Sequence, residues 1–281
     1  MNSIITSAEA RQDWSSYKVL DIHGHIGTFS GYDLSLPTLL EQIHQHHVRM
    51  VLVSNIDGAE LSATANLKEL DANAATAKAV KEHADVLRGI AWARPEDGSA
   101  ANMTSSLNEL DGQHHHIFVG IKFHPEFNNF AADDARVDPY LELCSHYKIP
   151  AVFHCGGAGS NSDPAKIYTL ARRHPTVPIV LYHMGFGTDH SGAIKVVSES
   201  IKHKDANLYL DTAQVDAQTV LAAVHQLGAD RILFGTDATY FGHSHYQHYE
   251  ELVELLRKKL PRAEFDKVMY GNAVRLFSLQ L

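Results

Sequence analysis

From residue 18 to the C-terminus, short β-rich apolar runs alternate with longer amphipathic stretches. The apolar runs occupy 18–27, 49–55, 87–95, 118–125, 149–157, 178–185, 207–213 and 231–238. The stretches between them, and one after the last, repeat apolar residues at three- and four-residue spacing, as in Leu252, Leu255 and Leu256. Period two within the runs and period 3.6 between them predict strands and helices in strict alternation. Pro37, Pro139 and Pro164 stand where three of the helices should begin, a position at which the missing N–H costs little.

Eight β-then-α units, each roughly 30 residues long, predict a parallel sheet with helical crossovers. Eight of them without a long interruption predict an α/β fold of the (β/α)8 TIM-barrel type, with residues 1–281 forming a single domain. An open doubly wound sheet would carry fewer units and a Gly-rich phosphate turn after its first strand, and no such turn is present.

Polar residues cluster at the C-terminal ends of the predicted strands, the face on which such barrels build active sites. In "VLDIHGHIG" (19–27), alternation puts Leu20, Ile22 and Ile26 toward the helices and Asp21, His23 and His25 toward the barrel interior. In "FVGIKFHP" (118–125) it puts Val119, Ile121 and Phe123 outward, and Lys122 and His124 inward. His154 ends the fifth run, His183 the sixth, and Asp237 follows "ILFGT" in the eighth. A buried lysine among histidines is expensive unless something pairs with the group. Imidazoles and a carboxylate converging on one rim suit zinc or a related divalent ion, with Asp21 behind one of the histidines.

Composition narrows the field. Hydrophobic residues make up 44% and charged residues 20%, values typical of a folded globular chain. The net charge of −9 and the absence of a Lys/Arg-rich run argue against nucleic acid as a partner. No apolar stretch reaches membrane-spanning length, so no membrane partner is expected. Two cysteines, Cys144 and Cys155, make no disulfide framework, and "MNSIITSAEARQDW" lacks the regions of a secretory signal. A cytoplasmic location is expected. Of the 20 histidines, those in "IHQHHV" (43–48) and "QHHHIF" (113–118) are read as solvated helix ends or loops.

Together, "DIHGHIG", "GIKFHP", "VFHCG", "LYHMG", "RILFGTD" and "MYGNAVRLF" resemble the amidohydrolase superfamily. The closest likeness is to its amidohydrolase-related branch, which includes aminocarboxymuconate-semialdehyde decarboxylase. The resemblance implies that His23, His25, His154 and Asp237 surround a metal. It makes His183 either a second-metal ligand or a catalytic group. Lys122 matches the fourth-strand lysine that two-metal members carboxylate into a bridging ligand; the alternative is an ammonium that holds a substrate carboxylate.

The expected activity is metal-dependent hydrolysis of a small carbonyl compound. Metal coordination brings the pKa of bound water from near 16 to roughly 7, and Asp237 would shuttle its proton. The alternative is a metal-dependent, non-oxidative decarboxylase of a small carboxylated substrate. His124, Arg94, Asn55 and Tyr240 are the candidate substrate contacts, with Asp211 a further strand-end candidate. A homo-oligomer is compatible with everything above.

Overall fold

The computed structural model describes residues 14–95 and 100–281. The opening segment that was read for a signal lies largely outside the described residues. Eight parallel strands follow one another around a single sheet in chain order. They are β1 (Leu20–Ile26), β2 (Met50–Asn55), β3 (Leu87–Trp92), β4 (Phe118–Phe123), β5 (Ala151–His154), β6 (Pro178–Tyr182), β7 (Asn207–Asp211) and β8 (Ile232–Leu233). The ring closes where Ile22 N donates to Phe234 O at 3.1 Å and Ala238 N donates to His23 O at 2.9 Å. This is a (β/α)8 TIM barrel.

The crossover helices are α1 (Leu36–Gln45), α2 (Glu69–Glu82), α3 (Ala100–Leu107), α4 (Asp138–Tyr147), α5 (Pro164–Arg173), α6 (Ser191–His203) and α7 (Ala217–Leu227). After β8 come α8 (Glu250–Lys259), α9 (Arg262–Asp266) and α10 (Asn272–Leu276). Pro37, Pro139 and Pro164 occupy the first turns of α1, α4 and α5. Asp216 caps α7, its carboxylate accepting from Gln218 N and Thr219 N, which satisfies two of the amides a helix start leaves open.

The barrel interior below the rim is apolar. Leu20, Ile22, Leu52, Ile90, Val152, Val180 and Leu233 form one buried cluster there, closed from beneath by Ala273, Leu276 and Phe277 of the C-terminal segment. Leu20, Ile22 and Val119 therefore point inward, not toward the helices as alternation predicted, while Val19 packs outward with Leu39 and Ile43. The reason in β1 is a bulge. Between Asp21 and Gly24 the strand advances three residues against two of β2, so the parity changes. After it, His23 and His25 do face the interior, and Asp21 faces away. Glycine at position 24 is required: a Cβ would sit 2.6 Å from Val51 Cγ1.

The eighth strand is much shorter than the predicted 231–238. Beyond Leu233 the chain leaves the β7 ladder but stays bonded to β1 through Phe234 and Ala238, and between them Thr236 N donates to the Asp21 side chain at 3.1 Å. Asp237 follows with φ 62°, a left-handed conformation that aspartate tolerates better than most residues.

Candidate active site

A cavity of about 370 Å³ opens at the C-terminal ends of the strands, and its walls include His23, His25, Lys122, His154, His183 and Asp237. A larger cavity of about 440 Å³ lies at the opposite end of β4, walled by Phe118, Val119, Tyr147 and Phe277. It holds none of the polar strand-end residues, so the chemistry belongs to the first.

Three histidines are held in one tautomer by what lies behind them. His23 Nδ1 donates to Asp211 Oδ2 at 2.8 Å, His25 Nδ1 to the Ser54 carbonyl at 3.3 Å, and His183 Nδ1 to the Ala213 carbonyl at 3.3 Å. With the proton fixed on Nδ1, each Nε2 presents a lone pair, the arrangement a metal-binding imidazole needs. His23 Nε2 and His25 Nε2 lie 3.4 and 3.3 Å from Asp237 Oδ1. Donor atoms of His23, His25 and Asp237 all fall within 4.8 Å of one another.

That geometry tests whether a cation fits. His23 Nε2 is buried and lacks a hydrogen-bond partner. Two imidazole lone pairs facing a carboxylate oxygen repel unless a positive charge lies between them. Burial and the Lys122 cation push His23 and His25 well below the usual histidine range, and burial and Lys122 bring His183 down to about 3. The rings are neutral and available as ligands. Burial raises Asp237 to about 6 against the opposing pull of Lys122. His154 and His183 complete the rim, their ring centroids 5.0 Å apart.

Asp211, expected to meet substrate, stands behind the site. Its carboxylate takes the His23 proton donor on Oδ2, and Oδ1 accepts from the backbone amides of His183 and Ala213. Burial pushes it well up while those amides and Lys122 pull the other way. Asp21, expected behind a histidine ring, instead accepts from the backbone amides of His23 at 2.9 Å and Thr236 at 3.1 Å. It joins the two segments that carry His23, His25 and Asp237 and orients neither ring.

Lys122 Nζ is buried without a hydrogen-bond partner and lies 4.0 Å above the centre of the Tyr182 ring. Burial brings it down to about 7, with Asp237 and Asp211 opposing. It borders the same cavity as His23, His25 and Asp237. His124 lines the cavity as expected and is stacked between Phe127, at 3.7 Å, and His154, at 4.0 Å. Tyr240 lines it too, its hydroxyl 3.1 Å from that of Tyr32.

Arg94 and Asn55 are not among the described residues that wall the cavity. Arg94 is buried and donates from Nη1 to Asn66 Oδ1 and the Leu67 carbonyl, bracing the segment after β2. Asn55 Oδ1 accepts from Asp57 N and starts a single turn of 3-10 helix. Arg94 is engaged by the Asn66 side chain and the Leu67 carbonyl, and Asn55 by the nearby Asp57 amide, fates that strand position does not reveal. The residues that sequence reasoning missed are Phe29, Phe127 and Phe186 in the walls, and Gln214, which donates to Asp237 Oδ2 at 2.9 Å. Gln214 follows the "LDTA" strand end directly, which was the available signal.

The amidohydrolase family model matches residues 33–279, and the chain belongs to that family. Over 125 residues it is 31% identical to gamma-resorcylate decarboxylase of Polaromonas sp. (strain JS666 / ATCC BAA-500), a match covering 39% of this chain and 37% of that enzyme. The fold is shared with a dihydroxybenzoic acid decarboxylase from Polaromonas sp. JS666, solved with manganese and 2-nitroresorcinol. There the TM-score is 0.67 and the identity 22%, covering 94% of this chain and 97% of that one. It is shared also with 5-carboxyvanillate decarboxylase from Novosphingobium aromaticivorans DSM 12444, solved with manganese, at TM-score 0.67 and 13% identity over 94% and 97% of the two chains. These relatives correct the expected reaction. They are decarboxylases, and the hydrolase reading gives way to its alternative.

Proposed function

We propose that this chain is a divalent-metal-dependent, non-oxidative decarboxylase of a small hydroxylated aromatic carboxylate. The observation that carries the reading is a juxtaposition. The His23, His25 and Asp237 donor set opens into the same cavity as a column of parallel rings, Phe127, His124 and His154. A flat wall of that kind takes a flat substrate, and the similar decarboxylases act on benzoate derivatives.

His23, His25 and Asp237 would hold the ion, with His154 and His183 beside them. A mixed imidazole and carboxylate set accommodates manganese as well as the zinc expected from sequence. When bound, the ion supplies Lewis-acid stabilisation of charge on the substrate oxygens. Asp237, which burial raises to about 6, would deliver a proton from its protonated form to the ring carbon bearing the carboxylate. The bond from that carbon to the carboxylate then breaks, its electron pair returns to the ring, and carbon dioxide leaves. Asp237 regains its proton from solvent. His183 Nε2, an acceptor because Nδ1 is committed to Ala213, takes the hydrogen bond of a ring hydroxyl. Phe29, Phe127 and Phe186 exclude water around the ring.

Cys144 and Cys155 are buried free thiols, and no helix among the described residues is long and apolar enough to cross a membrane, which supports placing the enzyme in the cytoplasm. The test is manganese-loaded protein incubated with ortho-hydroxybenzoates, 2,6-dihydroxybenzoate among them, beside a panel of amides and esters. Carbon dioxide released in step with the arene is expected. Turnover of the amides or esters without carbon dioxide contradicts the reading.

A further inference from the structure

Lys122 is the residue whose position the reaction above does not use. Its Nζ is buried, lacks a hydrogen-bond acceptor and borders the cavity. A polar group left so is costly unless a ligand completes it. The contact it does make favours one chemical state. Nζ lies 4.0 Å over the face of Tyr182, whose hydroxyl donates to the Ile22 carbonyl and so fixes the ring. An aromatic face attracts an ammonium and repels an anion. A carbamate on Lys122 would place negative charge against that face.

We infer that Lys122 is an unmodified ammonium forming an anion subsite for a substrate oxygen that remains on the product. This rests on the decarboxylase reading. The departing carboxylate leaves as neutral carbon dioxide, so a cation paired with it would stabilise the bound substrate over the transition state and slow the step. A cation paired with a ring phenolate or a second carboxylate carries no such penalty, because that charge survives the reaction. The substrate class is therefore an aromatic carboxylate with a second acidic oxygen group, a ring phenol or a second carboxylate, that the product keeps.

The experiment uses metal-loaded protein and calorimetric titration with two probes. 2-Nitroresorcinol presents an acidic phenol and no carboxylate, and benzoate presents a carboxylate and no second anion. Lys122→Met is expected to weaken 2-nitroresorcinol about tenfold or more and benzoate much less, with kcat/KM falling chiefly through KM. Lys122→Arg keeps the charge and is expected to retain part of the affinity, which guards against a loss due to misfolding. Equal affinity of wild type and Lys122→Met for 2-nitroresorcinol overturns the subsite, whatever the chemistry. So does a carbamate carbon detected by NMR after labelling with 13C-bicarbonate, together with two ions per chain. Lys122-dependent binding in a protein that releases no carbon dioxide supports the subsite and overturns the decarboxylase reading instead.

Discussion

Gln214 Nε2 donates to Asp237 Oδ2 at 2.9 Å, while Oδ1 of the same carboxylate faces His23 and His25 at 3.4 and 3.3 Å. The two oxygens of Asp237 are thereby given different neighbours. A hydrogen bond donated to a carboxylate favours its charged form, and Gln214 supplies one to Oδ2. Gln214→Leu is expected to raise the Asp237 pKa by about half a unit to one unit, moving the alkaline limb of kcat/KM up in pH. Metal content should stay near that of wild type. An unchanged pH profile would mean that Gln214 does not tune the acid.

Asp211 orients the His23 ring and Asp21 does not, and the two can be separated by metal affinity. Asp211→Asn is expected to weaken binding of the ion about 10–100-fold, read by competition with a chelator. In Asp21→Asn the loss should fall mainly on thermal stability, because Asp21 ties backbone segments together through His23 N and Thr236 N. Equal metal affinity in Asp211→Asn and wild type would remove Asp211 from the site.

Acid sensitivity has a source away from the ligands. His245 is buried; its Nδ1 accepts from Phe241 N, and its Nε2 lies 2.7 Å from Thr236 Oγ1, which in turn donates to Asp21. Burial, with His248 and His46, brings its pKa down from 6.5 to about 3. A base depressed on folding contributes stability that is full above pH 6.5 and lost as pH falls toward about 3, at up to about 1.4 kcal/mol per unit. His245→Gln, which keeps a donor to Thr236, is expected to flatten the fall of melting temperature across that range. An equally steep fall in the variant would assign the acid sensitivity elsewhere.

The barrel floor depends on the C-terminal segment. Phe277 is 1% exposed and packs against interior residues of the strands. Phe277→Ala is expected to cost about 3–5 kcal/mol in chemical denaturation. A cost below about 1 kcal/mol would mean that the interior is closed without it.

The fold was legible because eight apolar runs and eight amphipathic stretches keep strict order, and because the prolines mark helix starts. The rim was legible because His23, His25, His154, His183 and Asp237 stand at strand ends. Inside β1 the reading failed, since a bulge shifts parity and a period of two cannot show an extra residue. Leu20 and Ile22 went inward as a result, while His23 and His25 still reached the site. Arg94 and Asn55 stay out of the cavity walls for another reason: a polar side chain at a strand end can brace another segment of the chain instead of facing the cavity. Lys122 was placed correctly, but its partner, the face of Tyr182, comes from two strands away and has no trace in local sequence. The hydrolase expectation failed because the same metal ligands serve both chemistries.

Proton delivery to carbon is the central claim, and deuterium placement tests it most directly. Manganese-loaded protein turning over 2,6-dihydroxybenzoate in D2O should give one deuterium per carbon dioxide released, located by NMR on the ring carbon that lost its carboxylate. A product formed without carbon dioxide, carrying oxygen from labelled water in place of deuterium on carbon, would contradict the account.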